Sequence, residues 1–405
     1  MRGAVLCAVL AAVPAGAGAQ SISLTEAEAV AKLSPESPRV RAIRAGVDVA
    51  RAESSAASRW PNPRLTIDRE SVAGATEYLT MVAQPLPIWG RRDLEMQAAA
   101  AQLSASSARA DDGMRRLRSD LRLAFADLQW AQVREGELMA VRERLNTLAV
   151  VLGRREAAGD AAGYDRLRAE REVLNVAADQ VTASIDRGRA QAVLAGFLDG
   201  ADPSGLVAAG GTGPRAPVPP LAALIERAEA SRGELIALKH DADAARLAVR
   251  AAERRRVPEP EVVAGTKSST VGSGDIGSVL MLHATLPLFD RATPEISLAT
   301  ARGAQAAARA EALRVVLRSD VAALHTTVVQ RRAAADRYRA EVLKSSGEIE
   351  RIAQVSYDAG EGGILELLDA YRVTAEARLR QAALDLAARR AEIELEFATG
   401  WELPL

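Results

Sequence analysis

Two stretches, Ile88 to Asp202 and Glu295 to Leu403, contain no proline. Proline interrupts helix interiors because it has no N–H to donate and its ring collides with the preceding turn. Each stretch exceeds 100 residues, so each is free to be helical nearly throughout. In the first, Leu138, Val141, Leu145, Leu148 and Leu152 recur at steps of three and four with Arg and Glu between them, the spacing of a coiled-coil seam. A helix from Arg92 to Glu156 would be about 100 Å long at the usual rise per residue. The pattern breaks at Gly159 and Gly163 and then resumes, which reads as a turn between two antiparallel helices, glycine being the residue that most readily ends a helix. Composition agrees. Aromatic residues are 3% of the chain and alanine is abundant, which suits thin helix-on-helix packing better than a thick core.

The prolines that do occur come in matched sets. WPNP at 60–63 has its counterpart in VPEP at 257–260, LPIWGR at 86–91 in LPLFDR at 286–291, RSD at 118–120 in RSD at 318–320, and GDAAGYDRL from Gly159 in GEGGILELL from Gly360. The offset creeps only from 197 (258 minus 61) to 201 (360 minus 159), which an internal duplication explains. The expected organisation is a leader at 1–19, a first repeat at 20–199, a linker at 200–220 by its Pro/Gly content, and a second repeat at 221–405.

Period-two stretches lie between the proline corners of each half. RLTIDRES places Leu65 and Ile67 on one side of a strand, and EYLTMVAQ places Leu79 and Met81 on one side of the next. EVVAGTK and SVLMLHATL do likewise in the second half, so the chain offers hairpins at about 63–86 and 260–288. Each proline corner then turns a strand into a long helix. Four strands cannot close a barrel in lipid, where open edges are not tolerated, but three copies would supply twelve.

The first 19 residues have a basic start at Arg2, an apolar run from Ala4 to Val13 and small residues at Ala17 and Ala19, the pattern of a cleaved secretory signal. Cys7, the sole cysteine, lies in that run, so the mature chain would carry neither a disulfide nor a lipid-modified cysteine. No later apolar run is long enough for a membrane-spanning helix. Lys+Arg 52 against Asp+Glu 53 gives nothing that recommends a nucleic acid as partner.

The signal, the duplicated helix–hairpin–helix–helix unit, the corners PNPRL and QPLPIWGRR, and YDAGEGGILELLDAYR together resemble the TolC-type outer-membrane efflux proteins. QPLPIWGRR is especially similar to the branch that serves metal-cation exporters. The resemblance covers essentially the whole mature chain. It implies a mainly α fold with a small β part: long coiled-coil hairpins forming a periplasmic α-barrel, and four strands per chain completing a twelve-stranded β-barrel in a homotrimer. It also implies a passive conduit in the outer membrane and its lipid, serving a tripartite pump that exports metal cations or small toxic compounds. A periplasmic adaptor and an inner-membrane pump of the resistance, nodulation and division type would be its partners, with no cofactor, no metal site and no enzymatic activity.

The family's constriction lies just after the tip of the second helical hairpin, and by motif its acids are Glu366 and Asp369. Those two share one side of a helix while Ile364, Leu367, Leu368 and Tyr371 share another. An ordinary solvated helix face is the other reading of the two carboxylates. Asp165 in GYDRL matches an acid that locks the closed tip, and Tyr357 matches its tyrosine partner. The position of the family's locking arginine is Gly362 here, leaving Arg154, Arg155 or Arg166 as substitutes. The hairpin turns, with Gly159, Asp160, Gly360 and Glu361, would meet the adaptor, although glycine there serves helix termination equally well.

Alternatives remain open on the sequence: a conduit for an ABC-driven secretion system, or a soluble periplasmic coiled-coil scaffold. Gly272 to Gly277 satisfies G-x-G-x-x-G but precedes a strand, so it reads as a surface loop. His240, His283 and His325 have no ligand spacing.

Overall fold

A computed structural model describes residues 22–159, 163–199, 202–210, 216–271, 274 and 276–402. The leader with Cys7, Asp160 in the first hairpin turn, and most of the glycine loop at 272–275 lie outside the described residues.

Two short segments come first, β1 (Ile22–Leu24) and α1 (Glu26–Ala31), followed by α2 (Pro38–Ala57). A hairpin of β2 (Arg64–Val72) and β3 (Ala75–Pro85) leads into α3 (Arg91–Ala158) and α4 (Gly163–Ala195). After β4 (Leu206–Ala208), the second half runs α5 (Leu221–Ser231), α6 (Gly233–Arg254), β5 (Pro260–Ser269), β6 (Ile276–Ala284), α7 (Thr293–Tyr338), α8 (Lys344–Asp358) and α9 (Ile364–Thr399). The order helix, hairpin, helix, helix thus occurs on both sides of residue 210.

The 68 residues of α3 form one uninterrupted helix, bounded by left-handed glycines at Gly90 and Gly159. Its buried positions include the seam Leu138, Val141, Leu145, Leu148 and Leu152. In the second half the matching rod is jointed: between α7 and α8 the helix widens into a π-turn at Arg339–Leu343. Local π-turns accommodate one extra residue in a helix at the cost of poorer hydrogen bonding.

The four long strands form one antiparallel sheet in the order β2-β3-β5-β6. The β2–β3 turn, Ala73 and Gly74, has positive φ at both central residues, as two-residue hairpins favour. The helices repeat this linear order, with α2 against α3, α3 against α6, and α6 against α7. Both arrays are therefore open at each end within one chain.

Between sheet and far tip lies a packed waist. One core joins Leu24 and Val40 to Leu121, Phe125 and Leu128 of α3 and to Leu194 and Leu206; a second joins Leu224 to Val321, Val328, Leu395 and Trp401. The segment whose composition reads as linker contributes here. Leu206 and Ala208 are buried, and β4 pairs in parallel with β1 (Ile22 opposite Leu206), a strand pair beyond the four expected.

Candidate functional site

Residues directly opposed across an antiparallel sheet project on the same side. The row Leu65–Val82–Ala264–Leu280 and the row Ile67–Thr80–Thr266–Ser278 therefore share a face, with Tyr78, Ile276 and Leu282. That face is mostly apolar and open, with Arg69 beside Tyr78 and a row of hydroxyls among its members: Ile67 is 66% exposed and Leu280 79%. The opposite face carries Thr66, Asp68, Glu77, Glu261, Lys267 and His283, with Lys267 Nζ 2.6 Å from Glu77. Leu79 and Met81, which the alternation singles out, stand on this second face, because their partners are Asp68 and Thr66. A wall with one apolar and one charged side is what a strand between hydrocarbon and water requires.

The proline corners sit at the base of the sheet. At the first, Leu86 N–H donates to the Pro260 carbonyl (2.9 Å), Trp89 Nε1 to the Pro258 carbonyl (3.0 Å), and Arg91 is 2.8 Å from Glu259 and 2.9 Å from Glu95. The second corner has the same local bend, with Leu288 N–H on Leu286 O at 2.9 Å as Ile88 N–H is on Leu86 O at 2.9 Å. Yet Phe289, in the place of Trp89, is 99% exposed.

At the far end of the rods, Leu148, Leu152, Ala169, Tyr357, Ile364 and Leu367 form a small core, with Leu368 and Tyr371 packed on it. Gly360 is left-handed, and the N–H groups of Glu361 and Gly362 both donate to Ser356 O at 2.9 and 3.0 Å, closing the α8–α9 turn. Glu366 and Asp369 lie on the exposed side of α9, where Asp369 accepts from Arg372 at 2.8 Å. Tyr357 is buried, with the Arg155 guanidinium 5.2 Å from its ring centre; no hydrogen bond joins it to Asp165 among the described residues. Asp165 is half-buried in the first turn of α4. Arg166 is committed elsewhere, to Glu156 at 2.6 Å and Glu170 at 2.7 Å, and Arg154 is exposed. Of the three substitute arginines, only Arg155 therefore reaches Tyr357. Gly159, Gly360 and Glu361 are exposed at the hairpin ends. Tyr371 donates to Gln354 at 2.5 Å, and burial, with the Glu350 carboxylate as a further cause, pushes its phenol above the ordinary range.

The waist holds a charge relay with no sequence signal, since its members are far apart in the chain. Arg122 meets Glu26 and Glu396, each at 2.5 Å; Glu26 also meets Arg389 at 2.6 Å; Arg389 is 3.4 Å from Glu392, which meets Arg332 at 2.6 Å. Burial works to lower the pKa of Arg122, but Glu396 and Glu26 more than offset it, so the guanidinium is held charged. Among the described residues, no group of three or more His, Cys, Asp or Glu is placed to hold a metal, and no helix is long and apolar enough to cross a membrane.

Comparison with known proteins fits this geometry. The family model "Outer membrane efflux protein" matches residues 224–401. The cobalt-zinc-cadmium resistance protein CzcC of Cupriavidus metallidurans is 24% identical over 326 residues, covering 79% of this chain and 76% of that one. Among solved structures, a membrane protein from Pseudomonas aeruginosa superposes with a TM-score of 0.76 at 22% identity, covering 93% of both chains. The open-state MtrE outer membrane channel of Neisseria gonorrhoeae gives 0.76 at 19% identity, covering 93% of this chain and 88% of that one. The second half of this chain thus matches the outer membrane efflux protein family, the chain as a whole is similar to a metal-resistance protein, and its fold is that of solved outer membrane channels.

Proposed function

We propose that the protein is the outer-membrane channel of a tripartite efflux pump, acting as a homotrimer that passes metal cations or small toxic compounds outward. The observation that carries this reading is the open four-stranded sheet, apolar on one face and charged on the other, continuous with a 68-residue helix. Three such sheets make an even, twelve-stranded barrel with no edge left in lipid. A soluble scaffold would have no use for so large an exposed apolar face. The name of the aligned relative, a cobalt-zinc-cadmium resistance protein, supports metal cations as cargo; the energy source in this reading is an inner-membrane pump of the resistance, nodulation and division type. Residues 1–19 act as the export signal, and two repeats, 20–199 and 221–405, each supply a hairpin and a coiled coil. The exposed hairpin ends around Gly159 and Gly360 meet the periplasmic adaptor. Glu366 and Asp369 from three copies ring the constriction and favour cations over anions, while Asp165 and Tyr357 help hold the tip closed.

The test is the mass of the detergent-extracted protein together with its single-channel currents in a planar bilayer. Trimers with small, cation-preferring currents are expected, and the Glu366→Ala/Asp369→Ala variant should lose ion preference or gain conductance. A monomer that never inserts would sink the channel reading; unchanged currents in the variant would remove both acids from the constriction.

A further inference from the structure

We propose that the contact between neighbouring copies repeats the β3–β5 junction inside one chain, in a register that the internal duplication fixes. The inference rests on the trimer reading and goes beyond it by naming the residues that meet.

Inside the chain, β3 pairs with β5, and the first corner seats on the VPEP turn. The duplication carries β3 onto β6 by adding 200 (Leu86 to Leu286) and β5 onto β2 by subtracting 197 (Pro260 to Pro63). Applied to Ala83 opposite Val263, this places His283 opposite Thr66 of the partner subunit; applied to Val82 opposite Ala264, it places Leu282 opposite Ile67 of the partner subunit.

Two observations not used in that mapping agree with it. First, the strands come out flush. Gly277–Ala284 oppose 72 down to 65 of the partner subunit, spanning all but one residue of each nine-residue edge strand. Second, the faces match. Leu282 and Ile67 both belong to the apolar side, and His283 and Thr66 both to the charged side. A slip of one residue would set Leu280 and Leu282 of one copy beside the polar side of β2, Thr66, Asp68 and Glu70, in the next.

The corner follows the same rule. Leu286 N–H takes the Pro63 carbonyl of the partner subunit, as Leu86 takes that of Pro260. Phe289 covers Pro61 of the partner subunit where Trp89 covers Pro258, and its full exposure in a single chain is that of a side chain lacking its seat. Arg291 meets Asn62 of the partner subunit in place of the Arg91–Glu259 pair, so the contact between copies has a hydrogen bond where the internal one has an ion pair. Among the helices, one internal contact is not copied. Arg109–Asp241 maps onto Arg309 and Arg44, two like charges, so this ion pair is not repeated between copies.

Cysteine pairs test the register. Directly opposed Cα atoms in antiparallel strands are about 4.5–5.5 Å apart, within disulfide reach, whereas diagonal neighbours at about 7–8 Å are not. The only natural cysteine, Cys7, is in the leader. Under mild oxidation, Thr66→Cys/His283→Cys should give disulfide-linked dimers and trimers on a non-reducing gel, at least tenfold more than Asp68→Cys/His283→Cys. Ile67→Cys/Leu282→Cys, on the other face, should behave as the first pair does, so that misfolding of one variant leaves the question answerable. Preferential linkage of Asp68→Cys/His283→Cys, or no linkage of either in-register pair in protein that is trimeric by mass, overturns the proposed junction. A monomeric mass for the unsubstituted protein overturns the trimer reading itself.

Discussion

Replacing Arg122 by methionine removes the guanidinium that ties α1 to α3 and α9 while keeping much of its apolar stem. Arg122 is 4% exposed and donates to Glu26 and Glu396, each at 2.5 Å. Breaking a buried ion pair from one side costs about 3–5 kcal/mol, because the remaining charge stays desolvated. Two features of the site reduce that figure. Glu26 keeps its 2.6 Å contact with Arg389, and the Glu26 and Glu396 side chains retain 16% and 23% exposure, through which water can reach them. A loss of about 2–3 kcal/mol is therefore expected, equivalent to roughly 30- to 150-fold at 1.4 kcal/mol per tenfold. Native-state hydrogen exchange is the appropriate assay, since α1 has only six residues and is positioned by this relay and by the burial of Leu24 and Ala29. The amides of Ala29 and Lys32, which bond to Thr25 and Glu28, should exchange faster by that factor. Exchange within threefold of the parent would refute the reasoning and show that hydrophobic packing alone holds the segment.

Gly265 of β5 lies hard against β3: a Cβ there would meet the Thr80 carbonyl oxygen well inside contact distance and the Met81 Cα at 2.9 Å. Gly265→Val should abolish folded channel in the outer membrane, measured as heat-modifiable protein in the membrane fraction; wild-type levels would mean the strands separate without penalty. Tyr371 supplies a pH dependence. Its folded pKa is raised, by burial first, so its contribution to stability is complete below the ordinary tyrosine value and is lost as pH rises through the higher folded value. An ultraviolet titration should show one phenol ionising late that Tyr371→Phe removes; loss of an early-titrating phenol instead would contradict the burial argument.

The parts of the fold that are readable in the sequence are those with local causes. Proline at 61, 63, 85, 87, 258, 260 and 287 marks the strand–helix corners, and the leucine seam of α3 marks its buried side, because both act through neighbours in the chain. The short β1–β4 pair was not readable. Three residues per strand carry almost no periodicity, and Leu206 sits in a segment whose glycines and prolines dominate its composition. Nor was the charge relay, whose partners, Glu26 and Arg389 among them, stand 363 positions apart. At the tip, the spacing grouped Ile364, Leu367, Leu368 and Tyr371 on one side of α9 and Glu366 and Asp369 on another; the first group packs into the tip core and the second is exposed. It could not show that Arg155 covers the Tyr357 ring while Arg166 is held by Glu156 and Glu170, since that choice among adjacent arginines depends on how α3 and α4 meet.

The contrast between the unbroken α3 and the jointed α7–α8 has a mechanical consequence. A continuous helix of 68 residues is a lever about 100 Å long, so a tilt of one degree at the sheet displaces its far end by about 2 Å. The second rod does not transmit motion in that way. At Arg339–Leu343 the backbone ladder is loosened, and Ser345, Ser346 and Gly347 follow immediately, residues that bend helices readily. The two coiled coils of each protomer are therefore expected to differ in compliance, one an unbroken strut from sheet to tip and the other a rod with a joint at Arg339–Leu343.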